Sequence, residues 1–286
     1  MNDFTIITTP GRAILGEGPR WVGRENALYW VDIFGPSLHC LDLASAGVTS
    51  WAFDEPIGWV IEREGRDDFV AGFKSGFARL SLDPLSIEPI GDPEPDRPHN
   101  RLNDAKTDAA GRIWAGSKDD RDEEASGALY RLDPDLRWSR ADDNYLVTNG
   151  PTFSPDGATL YHTDSGRRTV YAFDLADDGS ITGKQEWLRF DDDWGYPDGM
   201  TTDAEGGIWI AHWAGARISR FFPDGQLDRS IALPANNITS CAFAGEKLDR
   251  LFVTSASQGD EQGAHAGALF EVDPGVRGVP ARGFAG

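Results

Sequence analysis

Short aromatic-aliphatic runs recur six times along this chain, each introduced by a Gly/Asp/Pro-rich turn and followed, after a short break, by a second alternating run. The first runs are Leu28-Tyr29-Trp30-Val31, Phe69-Val70-Ala71, Ile113-Trp114-Ala115, Leu160-Tyr161-His162-Thr163, Ile208-Trp209-Ile210 and Leu251-Phe252-Val253. The second runs end alike, as in Leu129-Tyr130-Arg131-Leu132-Asp133 and Leu269-Phe270-Glu271-Val272-Asp273. From Leu28 to Leu251 the successive steps are 41, 44, 47, 48 and 43 residues, the spacing of propeller blades. Turns such as Ser154-Pro155-Asp156-Gly157, Asp203-Ala204-Glu205-Gly206 and Asp108-Ala109-Ala110-Gly111 close the hairpin between the first and second strands of a blade, with Gly supplying positive φ. The pattern predicts an all-β fold, a six-bladed β-propeller. Thr5-Ile6-Ile7 is a candidate for the strand that closes the ring.

A closed ring is one cooperative unit, so residues 1–286 are expected to form a single domain despite their length. Ten Trp and fifteen Phe supply large faces for packing between blades. No apolar run approaches the roughly 20 residues of a membrane span. The formal net charge of −20 argues against nucleic acid or an anionic membrane as partner, because neutralising phosphates requires clustered Lys and Arg. The opening Met1-Asn2-Asp3-Phe4-Thr5-Ile6-Ile7 lacks a basic segment followed by a sustained apolar one, so a cytoplasmic location is expected. Cys40 and Cys241 are read as free buried thiols, with a bridge left open because a ring brings its ends together. Asn237-Ile238-Thr239 matches a glycosylation acceptor and, without a secretory leader, is taken as chance. Oligomeric state is left open.

An innermost strand is expected ahead of each first run, and counting back ten or eleven residues from the six anchors reaches Glu17, Gly58, Asn103, Asn149, Asp198 and Ser240. Equivalent positions of a propeller lie at one height around the axis, so the four oxygen-bearing side chains should converge at one mouth of the channel. Gly58 and Ser240 are small and would leave space. Two carboxylates and one or two amide oxygens suit Ca²⁺, Mg²⁺ or Mn²⁺, with Zn²⁺ and Fe²⁺ left open. An Asx residue ahead of a strand can instead cap a turn; four in register point to a central metal site. Aromatic and basic residues around Trp59, Lys118, Trp194 and Trp213 are candidate pocket walls, with interblade packing as the alternative for the aromatics.

Along nearly its whole length the chain resembles the SMP-30/gluconolactonase/regucalcin family of six-bladed sugar lactonases. The resemblance is carried by Leu15-Gly16-Glu17-Gly18-Pro19, Arg101-Leu102-Asn103-Asp104, Gly111-Arg112-Ile113-Trp114-Ala115-Gly116, Thr148-Asn149-Gly150-Pro151, Ser154-Pro155-Asp156-Gly157, Tyr161-His162-Thr163-Asp164, Pro197-Asp198-Gly199-Met200 and Pro223-Asp224-Gly225. It implies that Glu17, Asn149 and Asp198 hold one divalent metal, and that Arg101 and Asn103 bind a sugar lactone, which moves Asn103 from metal ligand to substrate contact. Many members read Gly-Thr-Met where this chain reads Gly116-Ser117-Lys118, followed by the charged stretch Asp119-Asp120-Arg121-Asp122-Glu123-Glu124. If that stretch lies over the pocket, Lys118 changes substrate choice; the bland expectation for such a run is a solvated loop.

The function implied is metal-dependent hydrolysis of a sugar lactone, such as a glucono-, xylono- or arabinono-lactone, to the open-chain aldonic acid. The metal would polarise the carbonyl and Asp198, as ligand and general base, would take a proton from water. No G-x-S-x-G elbow, phosphate-cradling loop or zinc motif is present, and neither cysteine sits in an activating context. His162 and His212, at equivalent strand positions, are read as structural. Asp104 and Asp164 are candidates for carboxylates behind the site or for turn caps. Two alternatives remain: a metal-dependent aryl-ester or phosphoester hydrolase on the same fold, and a non-catalytic, metal-stabilised binding or calcium-handling propeller.

Overall fold

The chain is described here from a computed structural model covering residues 4–286; Met1, Asn2 and Asp3, the start of the segment read for a leader, lie outside the described residues. Six four-stranded antiparallel sheets follow one another around an axis. Their innermost strands are Gly16–Val22, Ile57–Glu62, Asn100–Thr107, Thr148–Phe153, Tyr196–Thr202 and Asn237–Ala244, and these open blades one to six. The last blade borrows its outermost strand from the other end of the chain. Phe4–Ile7 pairs antiparallel with Leu269–Val272, Thr5 opposite Glu271, so the expected closing strand is the one that locks the ring. Helical structure among the described residues is limited to three short 3₁₀ turns, and no helix is long and apolar enough to cross a membrane.

Burial falls from the axis outward. Ile57–Glu62 is buried at every position, whereas Leu85–Gly91, the outermost strand of the same blade, is mostly exposed. The expected hairpin turns join each innermost strand to its neighbour, and in two blades the turn aspartate does a second job. Asp108 accepts the amides of Ala110 and Arg112 at 2.9 and 3.0 Å and the indole N–H of Trp114 at 2.9 Å. Asp203 repeats this with Glu205, Gly207 and Trp209 at 3.0, 2.9 and 2.9 Å. Gly111 and Gly206 adopt φ of +74° and +84° there, which a side chain would strain. Each turn thereby satisfies the polar atom of a Trp that is itself fully buried, allowing the large ring to fill the space between blades.

Every innermost strand carries a register shift at the level of the counted positions: between Glu17 and Arg20, Ile57 and Trp59, Leu102 and Ala105, Asn149 and Thr152, Pro197 and Met200, and Ile238 and Ser240. A bulge inserts an unpaired residue and re-aims side chains, here toward the axis. The expectation that Gly58 and Ser240 leave space is corrected. A Cβ on Gly58 would lie 2.7 Å from the carbonyl oxygens of Leu102 and Asn103, and one on Gly199 would lie 2.2 Å from Ser240 Oγ. These small residues let neighbouring strands touch.

The C-terminal segment crosses the far side of the ring. Ala204 N donates to Arg277 O and Gly278 N to Leu248 O, Phe284 exchanges backbone hydrogen bonds with Glu62 and Glu64, and Ala285 N donates to Gly111 O. The Phe284 ring is fully buried among residues of blades two and three. Cys40 and Cys241 are both free; Cys241 is buried as expected, while Cys40 is only partly so.

Candidate functional site

Glu17, Arg101, Asn103, Lys118, Asn149 and Asp198 line one cavity of about 480 Å³ at the mouth where the innermost strands begin. Its remaining wall includes Leu15, Phe34, Asp120, Asp122, Tyr196 and Trp213. Of the four residues expected around the pocket, Lys118 and Trp213 reach it. Trp59 is instead buried against Phe77 between blades, and Trp194 packs on Phe190 and Phe221.

The approach to two of the innermost strands is fixed by one recurring device. Asp32, at the end of the second strand of blade one, accepts the amides of Ile14 and Leu15 at 2.8 and 2.9 Å, holding the segment that enters at Glu17. Asp164, its equivalent in blade four, accepts those of Leu146 and Val147, each at 3.2 Å, and pairs with Arg167 at 2.6 Å, holding the segment that enters at Asn149. Asp164 is therefore a cap. His162 and His212 lie outside the cavity lining: His162 meets Tyr145 edge to face, and His212 bonds Trp194 O through Nδ1 at 2.8 Å. Burial pushes their pKa values down to about 3 and about 4, so both act as neutral packing groups.

A chain of hydrogen bonds orients the amides. Arg101 Nη1 donates to Asn103 Oδ1 at 2.5 Å, and Asn103 Nδ2 donates to Thr148 O at 2.5 Å and to Asn149 Oδ1 at 2.9 Å. Asn149 Nδ2 in turn donates to Ser165 Oγ at 2.9 Å, while that hydroxyl gives its own proton to Pro197 O at 2.6 Å. Both donors of Asn103 are thus spent within the protein, and Asn149 Oδ1 keeps one lone pair free. Arg101 is not a surface residue: it is 3% exposed, bonds Asp120 through Nε at 2.6 Å, and has no protein acceptor for Nη2 among the described residues. Ser165 and Asp120 were not legible as site residues, since each is an ordinary loop residue that the ring brings to the axis.

Charge is the distinctive property of this mouth. Glu17 and Asp198 are about 95% buried, and neither forms an ion pair among the described residues. Asp198 Oδ1 has no hydrogen-bond partner. Burial, followed by repulsion from Asp104, pushes the Glu17 carboxyl up to about 8; burial, followed by Glu17 and Asp104, pushes Asp198 well up. Asp104 is a third buried carboxylate, one residue beyond Asn103, and burial raises it as well against the pull of Lys106. An uncompensated buried carboxylate costs on the order of several kcal/mol, so the arrangement fits a cation at the mouth. Among the described residues no three His, Cys, Asp or Glu side chains converge into a cage; the donors that fit a hard divalent ion are two carboxylates and the Asn149 amide oxygen.

The charged stretch lies within blade three, at the end of its second strand and in the loop that follows; Arg121, Asp122, Glu123 and Glu124 are exposed, as expected of a solvated loop, yet the loop also borders the pocket. Lys118, Asp120 and Asp122 all reach the cavity wall. Asp119, equivalent to Asp32 and Asp164, turns its carboxylate on its own loop and accepts the amides of Arg121, Glu123 and Glu124 at 3.2 to 3.3 Å.

A six-bladed propeller with an acidic, amide-lined pocket on its axis is the class that this fold and cavity define. Residues 15–257 match the family model described as SMP-30/Gluconolactonase/LRE-like region, and the chain belongs to that family. It is 34% identical to L-arabinolactonase of Azospirillum brasilense over 96% of this chain and 93% of that protein. It is likewise 34% identical to 6-deoxy-6-sulfogluconolactonase of Pseudomonas putida, over 90% and 89% of the two chains. A solved structure of luciferin-regenerating enzyme superposes with a TM-score of 0.93 at 30% identity, covering 99% of each chain.

Proposed function

We propose that this protein hydrolyses a sugar lactone to the open-chain aldonic acid at the acidic mouth of its channel, using one divalent metal ion. The observation that carries the reading is the pair of buried carboxylates, Glu17 and Asp198, left without a cationic partner beside the free lone pair of Asn149 Oδ1. Membership of a family with relatives named as lactonases supports the substrate class. Bound by Glu17, Asn149 and Asp198, a Ca²⁺, Mg²⁺, Mn²⁺, Zn²⁺ or Fe²⁺ ion would supply Lewis-acid polarisation of the lactone carbonyl.

The chain's own residues do the rest. Arg101 Nη2 donates to a ring hydroxyl or the carbonyl side of the lactone, its plane held by Asp120 and Asn103. Asn103 acts chiefly by orienting Arg101 and Asn149, and offers the second lone pair of Oδ1 to a substrate hydroxyl. Asp198 takes the proton of the attacking water on Oδ1, the oxygen with no protein donor. The water oxygen adds to the carbonyl carbon, the ring C–O bond breaks, and the ring oxygen leaves as a hydroxyl with the proton that Asp198 took from the water and now returns. Lys118 borders the pocket with its ammonium 2.5 Å from Asp122.

The test is a panel of five- and six-carbon aldonolactones with protein stripped by a chelator and reloaded with one metal at a time. Turnover should vanish on stripping and return with at least one divalent ion. Full turnover by stripped protein would refute the metal-dependent mechanism, and no turnover with any metal would refute the lactonase reading.

A further inference from the structure

The cavity contains two cationic side chains, and both are already answered. Lys118 Nζ lies 2.5 Å from Asp122 Oδ1, and Arg101 Nε lies 2.6 Å from Asp120 Oδ1. The two aspartates belong to one loop, pinned by the amides that converge on Asp119. Tethered there, Asp122 stays beside Lys118 at high effective concentration. The lysine side chain is 9% exposed, so its charge is felt inside the pocket, whereas that of Asp122 is 57% exposed. Four carboxylates and two cations line the cavity, Glu17, Asp120, Asp122 and Asp198 against Arg101 and Lys118. Their formal sum is −2, which a bound divalent ion brings to zero.

We infer that Asp122 is a specificity-determining residue: by neutralising Lys118 within the cavity it restricts the site to uncharged lactones and works against lactones bearing a second, acidic group such as a carboxylate, phosphate or sulfonate. The inference rests on the lactonase reading above. An uncharged lactone enters an electroneutral pocket without leaving any charge unpaired. An acidic one must take Lys118 from a tethered competitor, or remain desolvated without a counter-charge, in a chain of net charge −20. The same balance acts on the product, because hydrolysis converts a neutral ester into a carboxylate that finds no uncompensated cation side chain to retain it.

The experiment compares kcat/KM for an uncharged aldonolactone and for a lactone of the same ring size carrying a terminal carboxylate or phosphate, together with inhibition by the open-chain acid. Asp122→Asn should raise the acidic-to-neutral ratio about tenfold, the scale of one partly desolvated charge pair, and should tighten binding of the open acid. Lys118→Met added to Asp122→Asn should cancel both gains. Glu123→Gln removes a charge from the same loop at a residue outside the cavity lining, and should leave the ratio unchanged. An unmoved ratio in Asp122→Asn, an equal rise in Glu123→Gln, or a wild-type preference for the acidic lactone would each overturn the inference. Absence of any lactone hydrolysis by the wild type would instead overturn the lactonase reading, and this inference with it.

Discussion

At one mouth of the channel, Glu17 and Asp198 are buried with no cationic side chain paired to either. At the other, about 10 Å further along the innermost strands at the usual rise per residue, Arg20 and Glu62 form a two-point ion pair at 2.7 and 2.9 Å. There, Arg20 also bonds the carbonyl of Arg282 in the C-terminal segment that crosses this side. Both ends carry buried charge on innermost strands. The far end is internally satisfied and crossed by the C-terminal segment; the near end is open to the larger cavity and short of positive charge. Satisfied buried charge stabilises or specifies a fold, whereas unsatisfied buried charge marks a place built for something else to bind.

The largest effect that would break this contrast is on catalysis. Asp198→Asn keeps an oxygen ligand and removes the base, so lactone turnover should fall about 10²- to 10⁴-fold with the thermal midpoint retained. Equal turnover by the variant would remove Asp198 from the base role. The far end should behave inversely: Arg20→Met leaves Glu62 buried and unpaired, and should destabilise the fold by about 3–5 kcal/mol in denaturant titration while kcat/KM for the neutral lactone changes little. Loss of turnover without loss of stability in that variant would erase the distinction between the two ends.

A third effect is on pH. A carboxyl whose pKa rises on folding binds its proton more tightly in the native state, so its contribution to stability declines as pH rises from the unfolded value to the folded one. For Glu17 that window runs from 4.5 to about 8. Metal-stripped protein should therefore lose stability across this range, and Glu17→Gln should flatten the slope. A slope that survives Glu17→Gln unchanged would assign it to other groups. The smallest expected effect is at Ser165, which orients Asn149 and bonds Pro197 O beside Asp198: Ser165→Ala should weaken divalent-cation affinity about tenfold to a hundredfold, measured by calorimetry, and unaltered affinity would show that Asn149 needs no such support.

The ring was legible in the sequence because each blade solves the same packing problem with the same residue types, down to the turn aspartates that reappear as indole acceptors at Asp108 and Asp203. The mouth of the channel was legible because a repeat puts equal offsets at equal heights, bringing Glu17, Asn103, Asn149 and Asp198 to one cavity. Three features escaped. The bulges that aim those side chains are backbone events with no residue signature of their own. Asp119 has the same place in its blade as Asp32 and Asp164, yet it caps its own loop, and composition alone did not show that this largely exposed loop also borders the cavity. The C-terminal segment has neither period, and its partners are scattered along the chain, from Glu62 with Phe284 to Leu248 with Gly278.

The most direct measurement is calorimetric titration of one divalent cation into metal-stripped wild-type, Glu17→Gln, Asp198→Asn and Glu62→Gln proteins. One site per chain is expected, weakened at least tenfold by either change at the cavity and unaltered by the change at the far end in whatever fraction remains folded. Equal affinity in the wild type and both cavity variants, or loss of the site on changing Glu62 in folded protein, would contradict it.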